Sequence, residues 1–199
     1  MFMKPLNFRL LAVAAFILTA LSGLAAVSLV PDYAACQSGG GMGIFSAGPG
    51  WRYGSGNRWE TEIFLGVVPR HDSKSTKALL ALKENFVPWQ LSLHRGLALE
   101  PLTASLYLTT ILSQDFWTRQ PQRYPSKYYF LPTRIRINLS VGQRLIWYLP
   151  ERKGPVKSLA AYYELGTCDI YALSMAGSRE LHLSDWMQLC IGIRINFQK

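Results

Sequence analysis

Ile191-Gly192-Ile193-Arg194-Ile195-Asn196-Phe197 alternates without a break. Ile191, Ile193, Ile195 and Phe197 fall on one side of an extended chain, and Gly192, Arg194 and Asn196 on the other. The same period of two runs from Arg134 to Trp147, where Ile135, Ile137, Leu139, Val141, Leu145 and Trp147 oppose Arg134, Arg136, Asn138, Ser140 and Arg144. Such a strand separates an apolar medium from a polar one. In a soluble sandwich the apolar side would be the core, and in a membrane barrel it would meet lipid, so alternation alone does not choose.

The N-terminus does. Lys4 and Arg9 precede an apolar run from Leu10 to Val30, interrupted only by Thr19, Ser22, Gly23 and Ser28, with Pro31 and Asp32 ending it and Ala34 and Ala35 following. This reads as an export signal over residues 1–35, ahead of a barrel domain over 36–199. The run also reaches the ~20 residues that span a bilayer, so an uncleaved anchor is the alternative. Downstream of Pro31 no comparable stretch occurs, and a chain that spans without helices spans as a closed barrel, because lipid leaves no other way to pair every backbone polar group.

Further strand candidates are Gly39 to Tyr53, Arg58 to Val68, Thr76 to Val87, Leu97 to Leu112 and Ser158 to Met175, with Gly54-Ser55-Gly56-Asn57 a tight connection. In Thr76 to Val87, Leu79 and Glu84 break the alternation; Pro101 predicts an irregularity in Leu97 to Leu112. With Trp89 to His94 as a short eighth strand, the expected fold is all-β: a small, closed, antiparallel up-and-down barrel. The termini would then share the inner end with turns at Pro69 to Ser75 and Pro150 to Pro155. Gln114 to Lys127 and Gly177 to Asp185 would lie outside.

Arg134, Arg136, Arg144 and Arg194 would share the lumen with Glu60, Glu62 and Glu164. An eight-stranded barrel is just wide enough for side chains to fill it. Unpaired buried charges are costly, so these residues are expected to form a plug of ion pairs rather than a pore. The formal charge is +9, falling to +8 if residues 1–35 leave with two basic and one acidic residue. Export and the placement of arginines within strands argue against nucleic acid and for outer-membrane lipid or lipopolysaccharide as the partner, with the barrel insertion machinery acting during biogenesis.

Of the three cysteines, Cys36 follows Tyr33-Ala34-Ala35, which resembles a bacterial lipoprotein cleavage box in its small residues and cysteine but has Tyr33 where Leu is usual. An ordinary signal-peptidase site nearby is the other reading. Cys168 and Cys190 are a candidate disulfide if the last hairpin folds about Arg179, since the two would then be opposite one another.

No HExxH, CxxC, GxSxG or phosphate-loop motif is present, and neither a metal site nor a cofactor is expected. Candidate catalytic residues are confined to His182 and Ser184, with Glu180 or Glu164 able to orient the imidazole. This His-x-Ser pair is similar to that of outer-membrane lipid A deacylases, small barrels that act as lipid-modifying hydrolases. Here Asp185-Trp186 stands in place of that family's Asn-Ala, and no glutamate follows Glu180. A loop histidine beside a loop serine is the plainer account. Trp117, Arg119, Arg123 and Tyr124 are candidates for glycan or lipopolysaccharide contact from one outer loop. Trp51, Trp59, Trp147 and Tyr148, near strand ends, suit the headgroup boundary.

As a whole, the chain resembles small outer-membrane β-barrel proteins of Bacteroides-like Gram-negative bacteria. The residues that carry the likeness are Gly50-Trp51 with Trp59-Glu60-Thr61, Lys83-Glu84-Asn85 with Pro88-Trp89, Glu100-Pro101-Leu102-Thr103, Phe116-Trp117 with Arg123-Tyr124-Pro125, Arg134-Ile135-Arg136-Ile137, and Tyr163-Glu164 through Thr167-Cys168-Asp169. The resemblance implies an outer-membrane location and a barrel, without an activity. Phe197 resembles the last residue of the terminal strand read by the insertion machinery, although Gln198 and Lys199 extend beyond it. The expected role is a structural or interaction component of the outer membrane. A lipid A-modifying hydrolase and an anchored periplasmic β-sandwich are the alternatives.

Overall fold

The structure, a computed structural model, describes residues 30–69, 76–94, 96–112, 135–150, 154–169 and 187–197. Outside them lie most of the leader and the candidates Trp117, Arg119, Arg123, Tyr124, Arg134, Glu180, His182 and Ser184. The described residues form β1 (Tyr33–Gly39), β2 (Phe45–Tyr53), β3 (Trp59–Val68), β4 (Lys77–Phe86), β5 (Leu91–His94), β6 (Leu97–Leu112), β7 (Ile135–Tyr148), β8 (Val156–Cys168) and β9 (Gln188–Phe197). Every pairing is antiparallel.

The sheet closes on itself. Its order is β4-β3-β2-β1-β9-β8-β7-β6, and β4 pairs again with β6 from Ala78↔Leu112 to Phe86↔Ala104. Eight strands therefore make the barrel, with β5 as a short extra strand on β6 beyond the end of β4. A single closed sheet rules out the two-sheet sandwich. The apolar side of each strand is also the exposed one: Ile191 and Ile193 are 60% and 57% exposed, while Arg194 between them and Ile195 is 1% exposed.

Eight was the expected number, but the membership differs. The eighth barrel strand is β1, which begins inside the segment read as leader, whereas the Trp89 to His94 region contributes β5 and does not cross. In β1 small residues (Ala34, Cys36, Ser38) face outward, so no large apolar group marks its period. Gaining a strand before Gly39 and losing one after Val87 exchanges the ends of two turns. The Gly54 to Asn57 turn lies with the termini, and the β3 and β4 ends at Val68 and Lys77 lie at the far end, not at the inner end assigned to Pro69 to Ser75. The far end also carries the long connections from Leu112 to Ile135 and from Cys168 to Gln188.

Pro101 has the expected effect. Between Glu100↔Arg144 and Thr103↔Gly142, β6 holds one residue more than β7, a bulge that switches the lumenal residues from even (Ala98, Glu100) to odd (Thr103, Ser105, Tyr107). At the far end of β1, Gly39, Gly40, Gly41 and Gly43 all have positive φ, and this turn folds Met42 inward until it is 1% exposed. The Tyr107 hydroxyl donates to the Gly40 carbonyl at 2.8 Å and holds the turn over the lumen.

Glycines opposite tyrosines let the rings lie across the interior. A Cβ on Gly192 would sit 2.3 Å from the Tyr162 ring, and one on Gly50 would sit 2.2 Å from the Tyr33 ring. We expect Gly192→Ala to lower stability by about 1–3 kcal/mol through overpacking. Gly154→Ala, whose Cβ meets nothing within 4 Å, should leave stability unchanged. Urea titration of the folded barrel distinguishes the two.

Candidate functional site: the lumenal ion-pair network

The lumen is built from one residue in two along each strand, so its contents follow from sequence parity and register. Glu60 of β3 lies at its centre, 1% exposed. Arg194 of β9 meets it with both terminal nitrogens, Nη1 to Oε2 and Nη2 to Oε1, each at 2.8 Å. Arg144 of β7 adds Nη2 to Oε2 at 3.1 Å and Nη1 to Oε1 at 3.3 Å, and Arg52 of β2 adds Nε to Oε1 at 3.2 Å. One carboxylate thus takes hydrogen bonds from three guanidiniums. Arg144 also donates to Glu100 at 2.8 Å. Asn196 accepts from Arg194 and Arg52 and donates to Ser158. The Tyr33 ring lies 3.2 Å from the Arg194 guanidinium carbon, a stacked cation–π contact.

A second network sits further along the lumen. Lys83 of β4 donates to Glu164 of β8 at 2.6 Å and lies 3.7 Å from Glu62 of β3, while Ser140 donates to the other oxygen of Glu164. The Tyr162 ring separates the two networks, 5.7 Å from Lys83 Nζ and 5.9 Å from the Arg144 guanidinium carbon. Its hydroxyl donates to Gln37, whose amide meets the Met42 sulfur.

Within the two networks the charges balance. Arg52, Lys83, Arg144 and Arg194 carry four positive charges against four negative ones on Glu60, Glu62, Glu100 and Glu164. Each buried ion costs several kcal/mol if unpaired, so the seven that are buried (all but Arg52) would, unpaired, exceed the whole stability of a domain, about 5–15 kcal/mol. Pairing is thus a condition of the fold. The interior is packed with ion pairs and rings, capped by Met42 and flanked by Phe64, Leu79, Ala81 and Tyr107.

Of the residues assigned to the lumen, Glu60, Arg144 and Arg194 meet in the first network, and Glu62 and Glu164 meet around Lys83 in the second. Arg136 is half-buried toward the far end and takes no part in either network. Sequence reading missed Arg52, Lys83 and Glu100. Lys83 and Arg52 do carry the lumenal parity of their strands, and Glu100 could be placed only once the bulge was known.

Leu79 and Glu84 are the exceptions their alternation indicated. Leu79 packs inside, and Glu84 faces out, where the Thr61 hydroxyl donates to it at 2.6 Å and the Tyr53 hydroxyl donates to its other oxygen. That carboxylate lies near the termini end, beside an aromatic girdle. Trp51 and Tyr53 end β2, Trp59 begins β3 and meets Phe86 with ring centroids 4.8 Å apart and planes tilted by 44°, and Trp147 and Tyr148 end β7.

The disulfide is corrected. Cys190 pairs with Glu164 and Cys168 with Asn138, so the last hairpin centres two residues short of Arg179 and the cysteines stand four residues apart in register. Both thiols are free. No family model, curated protein or solved structure matches the chain.

Glu60→Gln would leave three guanidiniums around a neutral amide, and we expect it to cost about 3–5 kcal/mol in urea unfolding. Arg52→Gln, whose side chain is 27% exposed, should cost about 1 kcal/mol or less. Thiol alkylation of the urea-unfolded chain without reductant should modify all three cysteines.

Proposed function

We propose that the chain is a barrel of the Gram-negative outer membrane, acting as a structural or interaction component with a closed, non-conducting lumen. The observation that carries this reading is the inverted distribution of polarity. Leucine, isoleucine, valine and aromatic side chains cover the outside from β2 to β9, while Lys83, Arg144, Arg194, Glu60, Glu62, Glu100 and Glu164 are enclosed. A soluble monomer rarely exposes an apolar patch beyond about 300–600 Å², whereas a continuous band of this kind suits acyl chains. A ten-residue strand rises ~33 Å and, tilted ~40°, covers about 25 Å, the height of the apolar band of such barrels.

Two further features support the location. The two longest connections, from Leu112 to Ile135 and from Cys168 to Gln188, start and finish at the end away from the termini and the aromatic girdle, as do the longer outer loops of outer-membrane barrels. The balanced interior supports the absence of conduction, because an ion entering it would have to displace paired charges. On this reading the partners are outer-membrane lipid or lipopolysaccharide, and the barrel insertion machinery delivers the chain.

The test is fractionation with gel mobility before and after boiling, joined to planar-bilayer recording. The expected result is outer-membrane recovery, a faster unboiled band and no steady conductance. Recovery in soluble extract, or a stable open channel, contradicts the proposal. Ile193→Arg should lower stability in lipid by about 2–4 kcal/mol.

A further inference from the structure

We infer that processing of the exported chain cuts upstream of Asp32, and that Cys36 keeps a free thiol instead of becoming an acylated N-terminus. The inference rests on the export reading above. Its ground is what the four residues before Cys36 do in the barrel.

Asp32 is fixed on three sides. Its N–H donates to the Gly50 carbonyl at 2.9 Å, its carbonyl accepts from the Phe197 N–H at 2.8 Å, and its carboxylate accepts from the Arg52 N–H at 2.8 Å. Tyr33 is fully buried under the Arg194 guanidinium, and Ala35 is 4% exposed. β1 is the strand that joins β2 to β9, and Tyr33, Ala34 and Ala35 pair with both. A cut at Cys36 would delete those pairings and the ring that packs on Arg194, leaving four residues to close the barrel.

The position of Cys36 opposes lipidation independently. It faces outward between Ala47 and Ile193, well inside the apolar band. A lipoprotein N-terminus carries glyceryl esters and an acyl amide on its cysteine, and these polar groups belong at the headgroup level, not part-way across the hydrocarbon.

Ala26-Val27-Ser28 offers the cut that the fold tolerates. Ala26 and Ser28 are small residues at the third and first positions before the Ser28–Leu29 bond, near the end of the apolar run, and only Leu29, Val30 and Pro31 then precede Asp32. The step is a hydrolysis by signal peptidase. Solvent water adds across the Ser28–Leu29 amide, Ser28 leaves as a carboxylate on the released leader, and Leu29 becomes the new ammonium terminus.

The experiment is expression of the full chain in a Gram-negative host, with N-terminal sequencing and intact mass on the purified product. A start between Ala26 and Pro31, with no acyl mass and an alkylatable Cys36, is the expected result. A start at Cys36, acylated or not, or a chain that retains Met1 to Ala25, overturns it. Cys36→Ser should be processed as the parent is, whereas a lipoprotein would accumulate uncut. Fractionation of the same sample separates this inference from the outer-membrane reading, since a correctly cut chain found outside the outer membrane would contradict only the latter.

Discussion

Glu60 is the group on which the interior depends. Its two oxygens tie β3 to β2, β7 and β9 through Arg52, Arg144 and Arg194, so one carboxylate bridges strands from opposite walls of the barrel. Three guanidiniums would repel one another in so small a space without it, and Glu100 takes up part of the remaining positive charge. Lys83 with Glu62 and Glu164 repeats the arrangement with the signs reversed, and the Tyr162 ring stands between the two. Buried ion pairs are weak evidence of stability in general, because desolvation opposes attraction. In this barrel they answer a different need: strands that present apolar groups outward have only their polar halves with which to fill the centre.

Packing and charge are therefore coupled. The large side chains of the lumen, Tyr33, Tyr107, Tyr162, Arg144 and Arg194, fit because Gly50 and Gly192 stand where neighbouring strands would otherwise add bulk. Rings stack on cations, hydroxyls reach Gln37 and the Gly40 carbonyl, and the inward Met42 turn covers the far end. On the outside the demand is simpler. Aliphatic residues suffice, and the one outward carboxylate among the residues discussed, Glu84, is held by Thr61 and Tyr53 beside the aromatic girdle.

Much of this was legible in the chain because strand parity is a rigid rule. Ile191 to Phe197 and Arg134 to Trp147 fixed which residues face inward, and Pro101 marked the bulge. What escaped was whatever parity does not encode. β1 lay hidden because Ala34, Cys36 and Ser38 give no apolar signal and follow directly on a leader-like run. Leu91 to His94 has a strand's composition, but its length and the bulge beside it leave it outside the barrel. Register is the other silent quantity: a shift of two residues in the turn keeps every face unchanged, yet it moves Cys190 from Cys168 to Glu164. The same blindness left Arg52 and Lys83 unassigned, since a correct face does not name the partner across the lumen.

The central claim is that acyl chains touch the isoleucines of β9. Nitroxide labels at Ile191→Cys, Ile193→Cys and Ile195→Cys, in a background with the three native cysteines replaced by serine, measure it directly in reconstituted bilayers. The account predicts that all three collide frequently with oxygen and rarely with a water-soluble nickel chelate. Frequent collision with nickel at these positions would mean that water covers this face, and the barrel would have no membrane to span.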